Sequence, residues 1–171
     1  DEPFPSLGIS HFIWYPKDRP APYKETFPEF LLFVEQNKVE IPAWIKELPD
    51  LACPWNDQSE FQADLQSERM LLLRTFLDRT RDLQAAFIVQ RMEKAFDKVL
   101  EVVPEKQRPA IKKKLRMVEN SPNGLFALID YVNFKGEGIL EAERYKGRGW
   151  GLLQVLEEMK EPKDPSAALT E

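Results

Sequence analysis

Between Phe61 and Leu100 apolar side chains return every three or four residues: Leu65, Leu72, Leu73, Phe76 and Leu77, then Leu83, Phe87, Ile88, Met92, Ala95, Phe96 and Val99. This is the spacing of a helix with one buried face. No proline or glycine interrupts the stretch, so it predicts two helices breaking near Thr80, or one long bent helix. The stripe reads as core. Asp57-x-x-Glu60, a capping-box pattern, opens this region. Upstream, Thr26-Phe27-Pro28-Glu29 has the same form, and Phe30, Leu31, Phe33 and Val34 continue it as a short helix ending near Asn37. A brief helix around Trp44 and Ile45 is expected inside an irregular connection that runs from Val39 to Pro54.

Downstream, Pro104 and Pro109 bracket a basic amphipathic helix from Ala110 to Val118. Ser121-Pro122 then reads as a hydroxyl cap with proline at the first helical position. The helix it would open, through Leu125, Phe126, Leu128 and Ile129, ends near Asn133. The pattern changes from Lys135 to Gly151, where five of the seven glycines fall. A last helix from about Leu152 to Met159 precedes a polar tail that contains Pro162 and Pro165. At the other end, Ser6 to Tyr15 is apolar and rich in β-formers, and reads as one short strand. Pro16 to Pro22 follows as a proline-rich connector. The fold class is therefore mostly α with a small β element.

Composition narrows the classes. With 171 residues, 43% of them hydrophobic, the chain suffices for one sizeable core, and a single domain over 1–160 with a tail over 161–171 is expected. No apolar run reaches the roughly 20 residues of a membrane span. A net charge of −5 argues against nucleic-acid binding, which needs a basic face. Lys112, Lys113, Lys114 and Arg116 read instead as one solvated helix face. Cys53 is the only cysteine and His11 the only histidine. The thiol has no disulfide partner or companion ligands, and reads as packed structure near a turn. Gly-x-Ser-x-Gly is absent, which sets aside a Ser-His-Asp hydrolase. The chain starts at Asp1 with no methionine and reads as trimmed, so the lack of a signal peptide says little about location.

Two segments carry an unusual density of small and polar residues. The first, Ser6-Leu7-Gly8-Ile9-Ser10-His11, resembles the hydroxyl-x-Gly-Ile-Gly-His strand of phage-type lysozymes over about twelve residues, with Ser10 where that family has glycine. The resemblance implies a lysozyme-like α+β fold and places Ser6 as the hydroxyl that positions the attacking water. It puts the family's catalytic glutamate upstream of Asp1, and its second carboxylate just before Asp1, so that Glu2 or Asp1 serves only with a shifted register. His11 is commonly structural in that fold, and contact with substrate is the other role open to it.

The second segment, Gly147-Arg148-Gly149-Trp150-Gly151-Leu152-Leu153-Gln154-Val155, is similar to the Gly-x-Gly-x-Gly-Leu-Met-Gln-Val strand of goose-type lysozymes and lytic transglycosylases. In those families a glutamate-bearing helix precedes it by about twenty residues, and ungapped alignment puts Val132 at that glutamate. Valine donates no proton. Glu137, between Gly136 and Gly138, is the nearest replacement; a solvated loop glutamate is its alternative. Tyr145 and Trp150 suit sugar stacking, with core packing the competing fate of Trp150. Asn133 and Gln154 offer amide hydrogen bonds to a glycan. Trp14, Trp44 and Trp55 read as core or surface staples.

The resemblance thus implies a bacterial, periplasmic or secreted, monomeric hydrolase of peptidoglycan glycan strands. It would use a carboxylic acid and a second group holding water, with no metal or organic cofactor. A non-catalytic glycan-binding module and a helical protein-interaction domain are the alternatives.

Overall fold

The computed structural model describes residues 4–19, 24–139, 144–145, 148–149 and 151–160. These form helices with two small antiparallel pairs of strands, so the protein is mostly α with a small β element. The chain divides into two compact units, residues 1–88 and 89–171, with the boundary inside a helix.

The first unit opens on a hairpin rather than on one strand. Strands β1 (Ser6–Leu7) and β2 (Phe12–Ile13) pair antiparallel, Ser6 with Ile13 and Leu7 with Phe12. The turn between them uses left-handed backbone at Gly8 (φ 70°) and His11 (φ 52°). Glycine takes such angles freely, whereas histidine adopts them at a cost of about 1 kcal/mol. Apolar content alone suggested a continuous strand; Gly8 turns it back.

Helix α1 (Phe27–Gln36) begins where expected, but Thr26 does not cap it through its side chain. The Thr26 hydroxyl accepts the Ile13 N–H at 2.9 Å instead, and Glu29 pairs with Lys24 at 3.0 Å. The strand offers the hydroxyl a competing donor, and the capping box is lost to it. Helix α2 (Ala43–Lys46) follows within the irregular connection.

The region opened by Asp57 is also divided. Asp57 accepts the Glu60 N–H at 2.9 Å, yet the helix it caps, α3 (Gln58–Ala63), lasts six residues. Asp64 then turns its carboxylate to Trp55 Nε1 at 2.8 Å and to the Arg69 guanidinium. Ser67 supplies a fresh cap for α4 (Glu68–Arg79), accepting the Met70 N–H at 3.2 Å. Burial disfavours charge on Asp64, but hydrogen bonds from Arg69, Ser67 and Trp55 outweigh it and hold the carboxyl below its ordinary 3.8. Thr80 separates α4 from α5 (Arg81–Val102), as the sequence predicts. Its buried hydroxyl bonds back to the Phe76 carbonyl at 2.7 Å, a contact that bends helices.

The core of this unit is aromatic. Phe12 stacks on Phe30 at 4.8 Å, and Phe30 meets Phe76 and Phe87. Trp14, Trp44 and Trp55 lie within 6.3 Å of one another, and Trp14 contacts Phe27. Trp14 and Trp55 are fully enclosed and are core, as expected. Trp14 Nε1 donates to the Leu51 carbonyl at 2.7 Å.

The second unit has an aliphatic core: Met92, Ala95 and Val99 from the end of α5 and Val103 just beyond it, with Ile111, Leu115, Leu128, Val132, Leu152 and Leu156. Helix α6 (Arg108–Glu119) carries Pro109 in its first turn. Ser121 does not open the next helix. Its hydroxyl donates to the Val118 carbonyl at 2.7 Å and so closes α6, while α7 (Gly124–Lys135) starts from a left-handed Asn123. Strands β3 (Arg144–Tyr145) and β4 (Arg148–Gly149) pair antiparallel, and α8 (Leu152–Glu158) ends the described chain. Within the basic group on α6, Lys112, Lys113 and Arg116 are exposed. Lys114 instead reaches the last carbonyls of α8, Leu156 at 2.7 Å and Glu157 at 3.1 Å, where a cation satisfies orphan acceptors.

Candidate functional site

The candidate residues fall into two groups. Ser6 and His11 belong to the first unit; Asn133, Glu137 and Gln154 belong to the second. Glu2 and Trp150 lie outside the described residues, as does the tail from 161, and of Tyr145 only the backbone in β3 is described.

In the first unit Ser6 sits exposed on β1, and His11 stands exposed at the last turn position. Ile9 between them is 55% exposed, a large apolar side chain held in water. Two buried polar side chains hold this hairpin from behind. Thr26 takes the Ile13 N–H, and Gln84, fully buried in α5, takes the Ile9 N–H at 2.9 Å through Oε1. A third bond comes from the segment after the hairpin: Tyr15 N–H donates to Glu25 Oε1 at 2.6 Å. Burial raises the Glu25 carboxyl above its ordinary value, and the Tyr15 bond partly opposes this.

In the second unit Gly136 closes α7 with φ 75° and donates to the Val132 carbonyl at 3.1 Å. The carbonyls of Gly136 and Glu137 then accept the Leu152 and Leu153 N–H groups at 3.1 and 3.0 Å. These are first-turn donors of α8 that have no partner inside the helix. Gln154 completes the join, accepting the Gly151 N–H at 3.0 Å and donating to the Gly138 carbonyl at 2.8 Å. A Cβ on Gly151 would lie 2.1 Å from Gly138 Cα and N. The glycines therefore let two stretches of backbone touch. Both ends of the Gln154 amide are occupied by this join.

Glu137 is brought beside the α7–α8 join but is not a solvated loop carboxylate. Lys98 Nζ lies 2.8 Å from its Oε1, and the Glu137 side chain is 20% exposed. Asn133 Oδ1 accepts from Arg91 at 2.9 Å. Val132, where the goose-type resemblance would place a glutamate, is buried in the aliphatic core, so that position faces packing and not solvent.

Cys53 is buried and donates weakly to the Trp55 carbonyl at 3.6 Å. Burial pushes its thiol up to about 12, which leaves no thiolate for chemistry at neutral pH. Among the described residues no group of three or more acidic, histidine or cysteine side chains is placed to hold a metal, and no helix is long and apolar enough to cross a membrane.

One feature of the first unit escaped the sequence reading. A cavity of about 560 Å³ is lined by Trp44, Leu72, Phe76, Glu40, Glu47 and Glu68 among others. The Trp44 Nε1 is buried with no hydrogen-bond partner. The signal was present in Leu71-Leu72-Leu73, where a helix can bury only part of a consecutive run; Leu73 is enclosed, while Leu71 and Leu72 are 63% and 46% exposed.

No protein-family model, curated protein or solved structure matches the chain.

Proposed function

We propose that this chain is a lysozyme-like domain that binds and cleaves the glycan strand of peptidoglycan in the bacterial cell envelope, in the periplasm or after secretion. The observation that carries the reading is the opening hairpin. The residues that resemble the phage-type strand form β structure whose Ser6 is exposed, and buried amide and hydroxyl groups of α5 and Thr26 fix its backbone. A water-positioning hydroxyl needs this combination of access and rigidity. The cavity beside Trp44, with carboxylates and an aromatic ring in its wall, supports carbohydrate binding in the same unit.

In this reading Ser6, exposed on the hairpin of the first unit, holds the attacking water. The Lys98–Glu137 pair itself, with Val132 in the core, favours a second reading: a glycan-binding module that does not cut.

Purified sacculi separate the two. Cleavage releases soluble fragments, and Ser6→Ala slows release about 100-fold. A Glu137→Gln protein that digests at full rate removes Glu137 from the acid role. Sedimentation with sacculi without release selects the binding module, and no sedimentation at all sinks both readings.

A further inference from the structure

Gln84 is an unusual residue to bury. It has no exposed surface, and all of its hydrogen-bonding capacity given by the structure is spent within the first unit. Oε1 accepts the Ile9 N–H at 2.9 Å, and Nε2 donates to the Leu77 carbonyl at 2.6 Å and to Thr80 Oγ1 at 3.3 Å. A buried amide earns its place only if such bonds are complete. Leu77 and Thr80 lie at the break between α4 and α5, where interrupted helical bonding leaves a carbonyl to satisfy. The amide thus ties the hairpin turn to the break between α4 and α5.

The turn needs that tie. A hairpin of two residue pairs is marginal in water by itself, and this one holds a histidine in left-handed backbone. Its own closing bond, His11 N–H to the Gly8 carbonyl, is long at 3.4 Å. Gly8 makes room for the tie: a Cβ there would lie 2.4 Å from Gln84 Oε1.

We infer that Gln84 is a positioning residue, whose buried carboxamide sets the one geometry of the Gly8–His11 turn in which the hairpin presents Ser6 to the glycan. The inference rests on the glycan reading above and extends it to a residue that never touches substrate.

Two variants test it. Gln84→Met keeps the volume and removes the acceptor; Gln84→Glu keeps the acceptor for Ile9 and gives up the donor to Leu77. Amide exchange and turnover of soluble peptidoglycan glycan strands are measured on both. In Gln84→Met the Ile9 amide exchanges about tenfold faster or more while α1 and α4 keep their protection. Its kcat falls about 100-fold with KM little changed, the effect of a misplaced group in an intact site. Gln84→Glu restores Ile9 protection and most of kcat, although both variants are less stable. Unchanged Ile9 exchange in Gln84→Met overturns the inference, and so does faster exchange with unchanged kcat. If the methionine variant does not fold, Gln84→Glu decides alone: loss of Ile9 protection there overturns the inference. Wild-type protein that neither binds nor cleaves glycan fails the glycan reading instead, and Ile9 exchange then still decides whether Gln84 holds the turn.

Discussion

The two units solve the same packing problem with different materials. The first is built from large aromatic rings, Phe12, Trp14, Phe27, Phe30, Trp55 and Phe76, all essentially enclosed. The second has only aliphatic side chains and Met92 among its buried core residues. Rings fill space between short, irregular elements, and indole N–H groups double as partners for stray acceptors. Trp14 and Trp55 do so at Leu51 and Asp64. Aliphatic side chains lack that handle, so the second unit satisfies its irregular backbone by direct contact, Gly136 to Gly138 against the start of α8. The first unit should therefore be sensitive to lost side-chain hydrogen bonds, and the second to one added methyl group.

Gly151→Ala is the strongest challenge to that contrast. The backbone there (φ −78°, ψ 179°) suits any residue, so the entire effect comes from a Cβ 2.1 Å from Gly138 Cα and N. Neither side can yield, because Gln154 and the first-turn donors of α8 hold both. A loss of about 3 kcal/mol is expected, at the upper end for overpacking. Denaturant unfolding measures it, and a loss below about 1 kcal/mol would mean that the join is loose.

Thr26→Val tests the other side. Valine keeps the shape and leaves the Ile13 N–H without its acceptor, which costs about 2 kcal/mol where the site is buried; Thr26→Ser should recover most of it. Thr26→Asp separates the two roles the residue could have had. As a helix cap it would be neutral or better, but as the acceptor behind β2 it brings an enclosed charge and destabilises. A stabilised Thr26→Asp protein in thermal unfolding would return Thr26 to the capping role.

The same contrast explains how much could be read in advance. Helical periodicity is local, so α1, α2, the break at Thr80 and the approximate limits of α6 to α8 were legible. Asp57 caps α3 as its pattern predicts. Capping by hydroxyls was not legible, because a hydroxyl has several donors within reach and only the fold selects one: Thr26 serves a strand, and Ser121 ends a helix instead of starting one. The hairpin was hidden because a ten-residue segment rich in β-formers looks alike whether it runs on or turns back. Glutamine at position 84 looks like surface in a sequence, and nothing local marks it as buried. In the candidate site the presence of Glu137 beside glycines was readable, but its pairing with Lys98, 39 residues away, was not.

The smallest effect concerns Glu25, and its direction matters more than its size. Its carboxylate is partly buried and accepts the Tyr15 N–H, and burial raises it above the ordinary 4.5. A carboxyl raised on folding binds its proton more tightly in the native protein. The stability it contributes is complete below 4.5 and is lost as pH rises through the folded value. Glu25→Gln keeps an acceptor for Tyr15 and removes the charge, so at pH 7 the variant should be more stable than wild type by about 0.5 kcal/mol. The gap should close as pH falls below 4.5. Asp64 does not mask the trend, since both proteins carry it with the same lowered carboxyl and its contribution cancels in the gap between them. Urea unfolding of both proteins between pH 7 and pH 4 checks the slope. A gap that widens on acidification would show that the charged form of Glu25 is what holds the segment at Tyr15, and would make the first unit depend on ionic bonds to its backbone as well as on neutral ones.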